Sequence, residues 1–405
     1  MASFHYGGQA LIEGVLMRGR NALAIALRHP DGSIVWATER LDLGLRARRA
    51  LKMPFLRGLV VLYDTLVTGT RWLVRSATVQ ALALEEGEGR AATPGSGGAT
   101  AAFGGLLRTL ALLTGPALCA VDGAGGDAGD AERAAPDSYT DPDGAASTST
   151  ASAEQGLGKG YTVAVGGMLL LSLLIGIGIF FLLPLLLAQA TAPVVGRGLG
   201  LQLSEGVIRV AIFIGYLLLM SRMGDVRRTF QYHGAEHMSI HTLEGGDALT
   251  VDAARKYPTA HPRCGTEFLV VVVIVSILAF ALVGSQSPLI LLGSRVLLIP
   301  VIAAVSYEIL QLGARHRGRA VVRWLWSPGI WVQAITTKQP TDDMIEVAIV
   351  SLERAIIADG GEIPAGSTAF ACRRLDPMAA DGTGPAAPLR SSEGTPKVNP
   401  EGIDS

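Results

Sequence analysis

Charged residues are scarce in this sequence. Asp, Glu, Lys and Arg make up 17% of its 405 residues, and 34 basic against 35 acidic side chains leave a formal net charge of -1. There is no global basic excess to hold a nucleic-acid backbone, so nucleic acid is not expected among the partners. Cysteine is scarcer still. Cys119, Cys264 and Cys372 are widely separated and show no paired spacing, which excludes a disulfide framework and suits a reducing, cytoplasmic face. The N-terminus, "MASFHYGGQALIEG", lacks a basic stretch followed by an apolar core, so no signal peptide is read there.

What is abundant is apolar sequence, 49% of the chain. Four runs, at 161–189, 206–223, 268–284 and 288–310, are long and apolar enough to cross a bilayer, which takes about 20 residues of helix. The alternative, a set of buried core helices, fits poorly because the first run carries no charge over a length that soluble cores seldom supply. The expected fold is therefore a mainly α membrane protein of about four transmembrane helices. Arginine and lysine set its orientation. The loop between the second and third runs carries Arg222, Arg227, Arg228, Arg255, Lys256 and Arg263, and the chain after the fourth carries Arg315, Arg317, Arg319 and Arg323. The loop between the first two has only Arg197, so the long loop at 224–267 and both termini are expected on the cytoplasmic side of the cell membrane.

Outside the runs the chain divides by composition. Residues 1–83 should hold a small β-hairpin, because "ALAIALRHPDGSIVWATERL" reads as two strands joined by Pro30-Asp31-Gly32. An amphipathic helix over 54–83 should follow, lying in the membrane interface or packed against the bundle. Residues 84–160 turn to Gly, Ala, Ser, Thr, Asp and Pro, the composition of a disordered linker or insertion, with one apolar stretch at 103–121 read as a local helix. The segment 311–358 should lie at the cytoplasmic interface, with a Trp-rich stretch, a break at Pro328-Gly329 and a helix opened by Asp342-Asp343. A disordered tail is expected over 359–405.

The chemistry concentrates in the long loop. In "YHGAEHMSIH", His233 and His237 are four apart and share one helical face, with His241 a turn further on. Two imidazoles at that spacing can converge on one metal ion. Glu236 completes an H-x-x-E-H order, as in inverted zincins, where the glutamate serves as the base that activates water. In "HPRCGTEF", His261 and Cys264 are three apart, and a histidine and a thiolate together suit zinc best among divalent metals. A helix N-terminus following Cys264, with Arg263 beside it, would favour the thiolate. The plainer alternative is a histidine-rich interfacial loop in contact with headgroups. Four ligands, His233, His237, His261 and Cys264, would close a structural site; three would leave a catalytic site open. His241 could complete either. Glu308, near the end of the fourth run, is a candidate ligand or a partner for a basic residue. Arg209 and Arg295 lie in or near spans, where each would snorkel or pair.

Five stretches, "GGQALIEGVLMRG", "YHGAEHMSIH", "HPRCGTEFL", "SYEIL" and "SPGIWVQAITTKQPTDDMIEVAI", together resemble the bacterial YqhQ-like membrane proteins, a family of unknown function that carries the label of metal-dependent enzyme. The resemblance covers about 4–83 and 161–358. It implies a site formed by His233, Glu236, His237, His261, Cys264 and Glu308, with Glu13 as an addition. Two functions remain in view. One is a metal-dependent hydrolase acting on a peptide or lipid-linked substrate at the membrane. The other is a scaffold or assembly factor with a structural metal, using the hairpin and the C-terminal helix as docking surfaces. The expected partners are the lipid bilayer, an unidentified substrate or protein, and a second copy of the chain.

Overall fold

Strand β3 (Ala22–Arg28) has no polar face, since its first six residues are all buried. Successive side chains in a strand point to opposite sides, so this strand must be covered twice. The computed structural model describes residues 6–41, 51–88 and 167–375, apart from 52, 168–169, 173, 197, 262–263, 284–287 and 317–318. It places β3 at the centre of a five-stranded sheet ordered β1 (Gly7–Leu11), β2 (Gly14–Arg18), β3, β4 (Ile34–Arg40), β5 (Cys372–Arg374). The first four strands are antiparallel and β5 joins β4 in parallel.

The expected hairpin is β3–β4. Its turn has Gly32 at φ 86°, a backbone state that a side chain would strain, and the Asp31 carboxylate accepts from the Ser33 amide at 2.8 Å. The sheet is wider than expected, however. "GGQALIEGVLMRG" forms a second hairpin, with Leu11 opposite Gly14 and Glu13 at φ 55° in its two-residue loop. Strand β5 comes from chain assigned to the tail: residues 359–375 are placed, and a three-residue edge strand is too short to leave a readable alternation.

Ten helices among the described residues complete the fold: α1 (Leu56–Glu88), α2 (Leu183–Val195), α3 (Leu199–Met220), α4 (Gly224–Gly245), α5 (Val251–Ala254), α6 (Thr266–Val283), α7 (Pro288–Leu297), α8 (Ile299–Arg315), α9 (Ala320–Thr336) and α10 (Asp342–Ala358). One face of the sheet, with Leu11, Leu23, Ile25 and Val35, packs on Trp72 and Leu73 of α1. The other, with Val15, Met17, Ala24 and Ala26, packs on α10 through Ile345, Ala348 and Leu352 and on α4 through Ala235 and Met238. Each fully buried Leu or Ile here contributes about 1.5–3 kcal/mol. The hairpin and the C-terminal helix are therefore the two halves of one core. Helix α1 runs to Glu88 and packs on the sheet and on Tyr307 of α8, where Gly58 allows the approach. The rest of the linker, with 103–121 and Cys119, and the tail beyond 375 lie outside the described residues.

Among the described residues three helices are long and apolar enough to cross a membrane: Leu170–Val195, which ends in α2 and includes a π-helical turn at Gly178–Leu182, then Gly200–Met220 and Thr266–Val283. The fourth expected run is two shorter helices, α7 and α8, meeting at Leu298. Pro300 falls in the first turn of α8, where its missing N–H costs nothing, whereas one unbroken helix would lose that bond. The reverse holds for the break expected at Pro328-Gly329: α9 runs straight through it. The carbonyl of Trp324, which residue 328 cannot serve, accepts a hydrogen bond from Ser327 Oγ at 2.7 Å. Arg209 and Arg295 pair with one buried acid, Glu205, which no sequence pattern had marked. The Arg209 guanidinium reaches it at 2.6 Å and that of Arg295 at 2.7 Å.

Candidate metal centre

Helix α4 carries the candidate residues because its "HGAEH" turn sits where three layers meet. It ends in a left-handed Gly246, the usual stop, and thirteen of its residues are buried. Gly234 faces the chain after α9 so closely that a Cβ would collide with the carbonyl oxygen of Lys338. This contact fixes α4 against residues 336–338, and the Lys338 amide donates to Phe230 O at 2.9 Å.

Along the exposed-to-buried axis of α4, four imidazoles follow one another. The His233 and His237 rings are 4.4 Å apart, His237 and His261 5.6 Å, and His241 and His261 4.5 Å. Residues 259–261 face the helix, and backbone carbonyls from them and from the end of α9 orient the rings. His237 Nδ1 lies 2.6 Å from Thr259 O, and His233 Nδ1 lies 3.1 Å from Thr336 O. A carbonyl can only accept, so each Nδ1 carries the proton and each Nε2 presents a lone pair. The same segment is held by α9: Gln333 takes the His261 amide on Oε1 at 2.9 Å and donates Nε2 to His261 O at 3.0 Å. Gln333 was not singled out from the sequence, since an amide clamp leaves no spacing pattern.

Three of the four expected ligands come together. His233, His237 and Cys264 offer ligand atoms all within 4.8 Å of one another, and all three are buried. Cys264 Sγ lies 3.3 Å from His233 Nε2 and 3.0 Å from Thr266 Oγ1, at the start of α6. The fourth, His261, belongs to a neighbouring group with His241 and Glu244, within the same 4.8 Å limit, and its Nε2 is 3.4 Å from Glu244 Oε2. Glu244 stands at i+7 from His237, a spacing that could have been read from "HMSIHTLE" and was passed over.

His237 Nε2 is buried and has no hydrogen-bonding partner. Burial holds this imidazole well below the usual histidine range, with His233 and His261 adding to the effect, so it is neutral near pH 7 and its lone pair is available. A buried lone pair with no donor is costly unless something else occupies that direction.

The remaining candidates lie elsewhere. Glu236, on the flank of α4 beside His233, is turned to β1, where a Cβ on Gly8 would stand 2.9 Å from its Cδ and Oε1; its carboxylate is in neither ligand group. Glu308 pairs with Arg57 at 2.5 Å and accepts from the Phe55 amide at 2.9 Å, fastening α8 to the start of α1. Glu13 takes Arg228 at 2.5 and 2.6 Å and lies 3.2 Å from the Tyr232 hydroxyl, joining the first hairpin to α4.

A mainly helical chain with three span-length apolar helices, a small sheet and a buried histidine–cysteine group defines the class. Residues 53–358 match the family described as "Protein of unknown function (DUF1385)", and the chain belongs to that family. It is similar to "Uncharacterized protein YqhQ" of Bacillus subtilis (strain 168), 28% identical over 351 residues that cover 87% of this chain and 92% of the relative. The YqhQ-like resemblance read from the motifs is thus borne out. No solved structure matches.

Proposed function

We propose that the chain is a multi-pass protein of the cytoplasmic membrane whose His233, His237 and Cys264 hold a divalent ion of the zinc type, and that it hydrolyses a peptide or lipid-linked substrate at the membrane interface. The single observation that carries the metal is the partnerless, buried Nε2 of His237, on a side chain grouped with an imidazole and a thiol whose ligand atoms all lie within 4.8 Å of one another. The donor set fits: two neutral imidazoles and a thiolate suit zinc, and backbone carbonyls on both Nδ1 atoms orient the rings as metal-bound histidines require. An ion held by these three residues would supply Lewis acidity to a substrate carbonyl or phosphoryl group. Glu236 is turned to β1 and falls in neither ligand group, so the role of base is not given to it.

Membrane placement is supported by apolar side chains turned outward on the three long helices, among them Leu186, Val207, Leu278 and Leu282. The kinked pair α7–α8 would make the fourth crossing. The arginine-rich connections lie at the end that bears the histidines, which supports a cytoplasmic site with both termini on that side.

The burial of all three ligands favours a second reading, a structural ion that pins α4 to the start of α6 in a scaffold protein. The two part on activity. Zinc-loaded protein in liposomes, offered peptide and lipid-ester panels beside a His237→Ala variant that inserts equally well, should show hydrolysis that the variant loses. Hydrolysis undiminished in the variant would end the hydrolase reading, and none in either would leave the structural one.

A further inference from the structure

We infer that His241, Glu244 and His261 form a second divalent-cation site beside the first, so that α4, with His261 and Cys264, carries a pair of ions. The inference deepens the proposed metal centre; its own ligands are separate residues. Residues 237, 241 and 244 fall at i, i+4 and i+7 of one helix, so the stripe that bears His237 continues for two turns toward solvent. His261 arrives from the facing segment, and the three side chains bring one ligand atom each to within 4.8 Å of one another.

Each ligand is held by its surroundings. His241 Nε2 lies 3.0 Å from Ala260 O, which fixes the proton on Nε2 and leaves Nδ1 with the lone pair. Its ring also stacks on Tyr257, 7° from parallel at 5.9 Å, and Tyr257 is held in turn by Asp247 at 2.9 Å. The backbone of His261 is clamped at both its amide and its carbonyl by Gln333. Oriented imidazoles of this kind, with a second group fixing the ring, are what bound ions require of their ligands.

The two sites differ in chemistry and access. The first offers two nitrogens and a sulfur and is closed from solvent. The second offers two nitrogens and a carboxylate, and the Glu244 side chain is 25% exposed while that of His261 is 5%. A harder donor set open on one side suits an exchangeable ion of the zinc, cobalt or manganese kind, whereas the sulfur site suits a tightly held one. His237 and His261, one from each group, are neighbours with ring centroids 5.6 Å apart, so the two sites would adjoin.

Cobalt(II) separates the sites because only the first has sulfur to give a thiolate-to-cobalt charge-transfer band. The full-length protein in detergent, stripped of metal and titrated with cobalt(II), should bind two ions per chain. Glu244→Gln, with His241→Asn as a second variant, should bind one and keep the band; Cys264→Ser should bind one and lose it. Circular dichroism confirms that each variant is folded. One ion with the band, unaffected by Glu244→Gln and His241→Asn, would overturn the second site and leave the first. One ion without the band, lost in Glu244→Gln, would support the second site and remove the first. A single ion lost in both Glu244→Gln and Cys264→Ser would mean one shared centre and overturn the inference, and no binding in the parent would overturn both sites.

Discussion

A methyl group on Gly234 would collide with the Lys338 carbonyl, between two histidines of the candidate centre. Gly234→Ala should therefore force α4 away from residues 336–338 and cost about 1–3 kcal/mol, read as a lower unfolding midpoint in detergent. An unchanged midpoint would show that the approach is looser than described. At this scale the sequence was informative about donor types and less so about directions. The four-residue spacing of His233 and His237 implied a shared face, and they share one. Glu236 is adjacent to His237 in sequence, but consecutive helix positions are about 100° apart, and that angle turns the carboxylate to β1. Glu13 and Glu308 were legible as unusual acids in their settings, but their partners, Arg228 and Arg57, lie 215 and 251 residues away, beyond the reach of any local pattern.

Among the elements, α9 and α10 each carry a test. Gln333 of α9 is buried and makes both of its hydrogen bonds to the backbone of His261. Gln333→Ala should leave that amide and carbonyl short of partners, at about 1–3 kcal/mol, and hydrogen exchange should quicken over 259–264 with little change in the sheet. Equal exchange in parent and variant would contradict a clamp. In α10, burial raises Glu353 from 4.5 to about 7. Between those two values the folded chain holds a proton that the unfolded chain has released, so stability should fall as pH rises from about 4.5 to about 7 and level off above. Glu353→Gln should flatten that part of the profile; an identical slope in the variant would refute the assignment. Helix existence was legible from periodicity, as was the β3–β4 hairpin from its turn residues. The break at Leu298 and the uninterrupted α9 were not, because each depends on how a proline's missing N–H is accommodated: by placing Pro300 in the first turn of α8, and by a serine hydroxyl serving Trp324.

For the whole molecule, the account sets a sheet domain and both ligand groups at one end of a helical layer, and proposes that end to be cytoplasmic. Val195→Cys, at the C-terminal end of α2, should gain an impermeant thiol label on intact cells, while Ala365→Cys should gain it only after permeabilisation. The opposite pattern would invert the orientation. Apolar runs made the helical layer plain from the sequence, but the union of the N-terminal hairpins with α10 and β5 was hidden, because it joins segments more than 300 residues apart. The central claim is that α4, with His261 and Cys264 facing it, carries a metal centre. Elemental analysis of the detergent-purified chain, beside His237→Ala and Cys264→Ser, addresses it most directly. The account predicts near-stoichiometric or higher metal of the zinc type in the parent, with each variant at least one ion poorer. No metal above background, in folded protein to which zinc has been offered, would contradict it and return "YHGAEHMSIH" to the role of a packing helix.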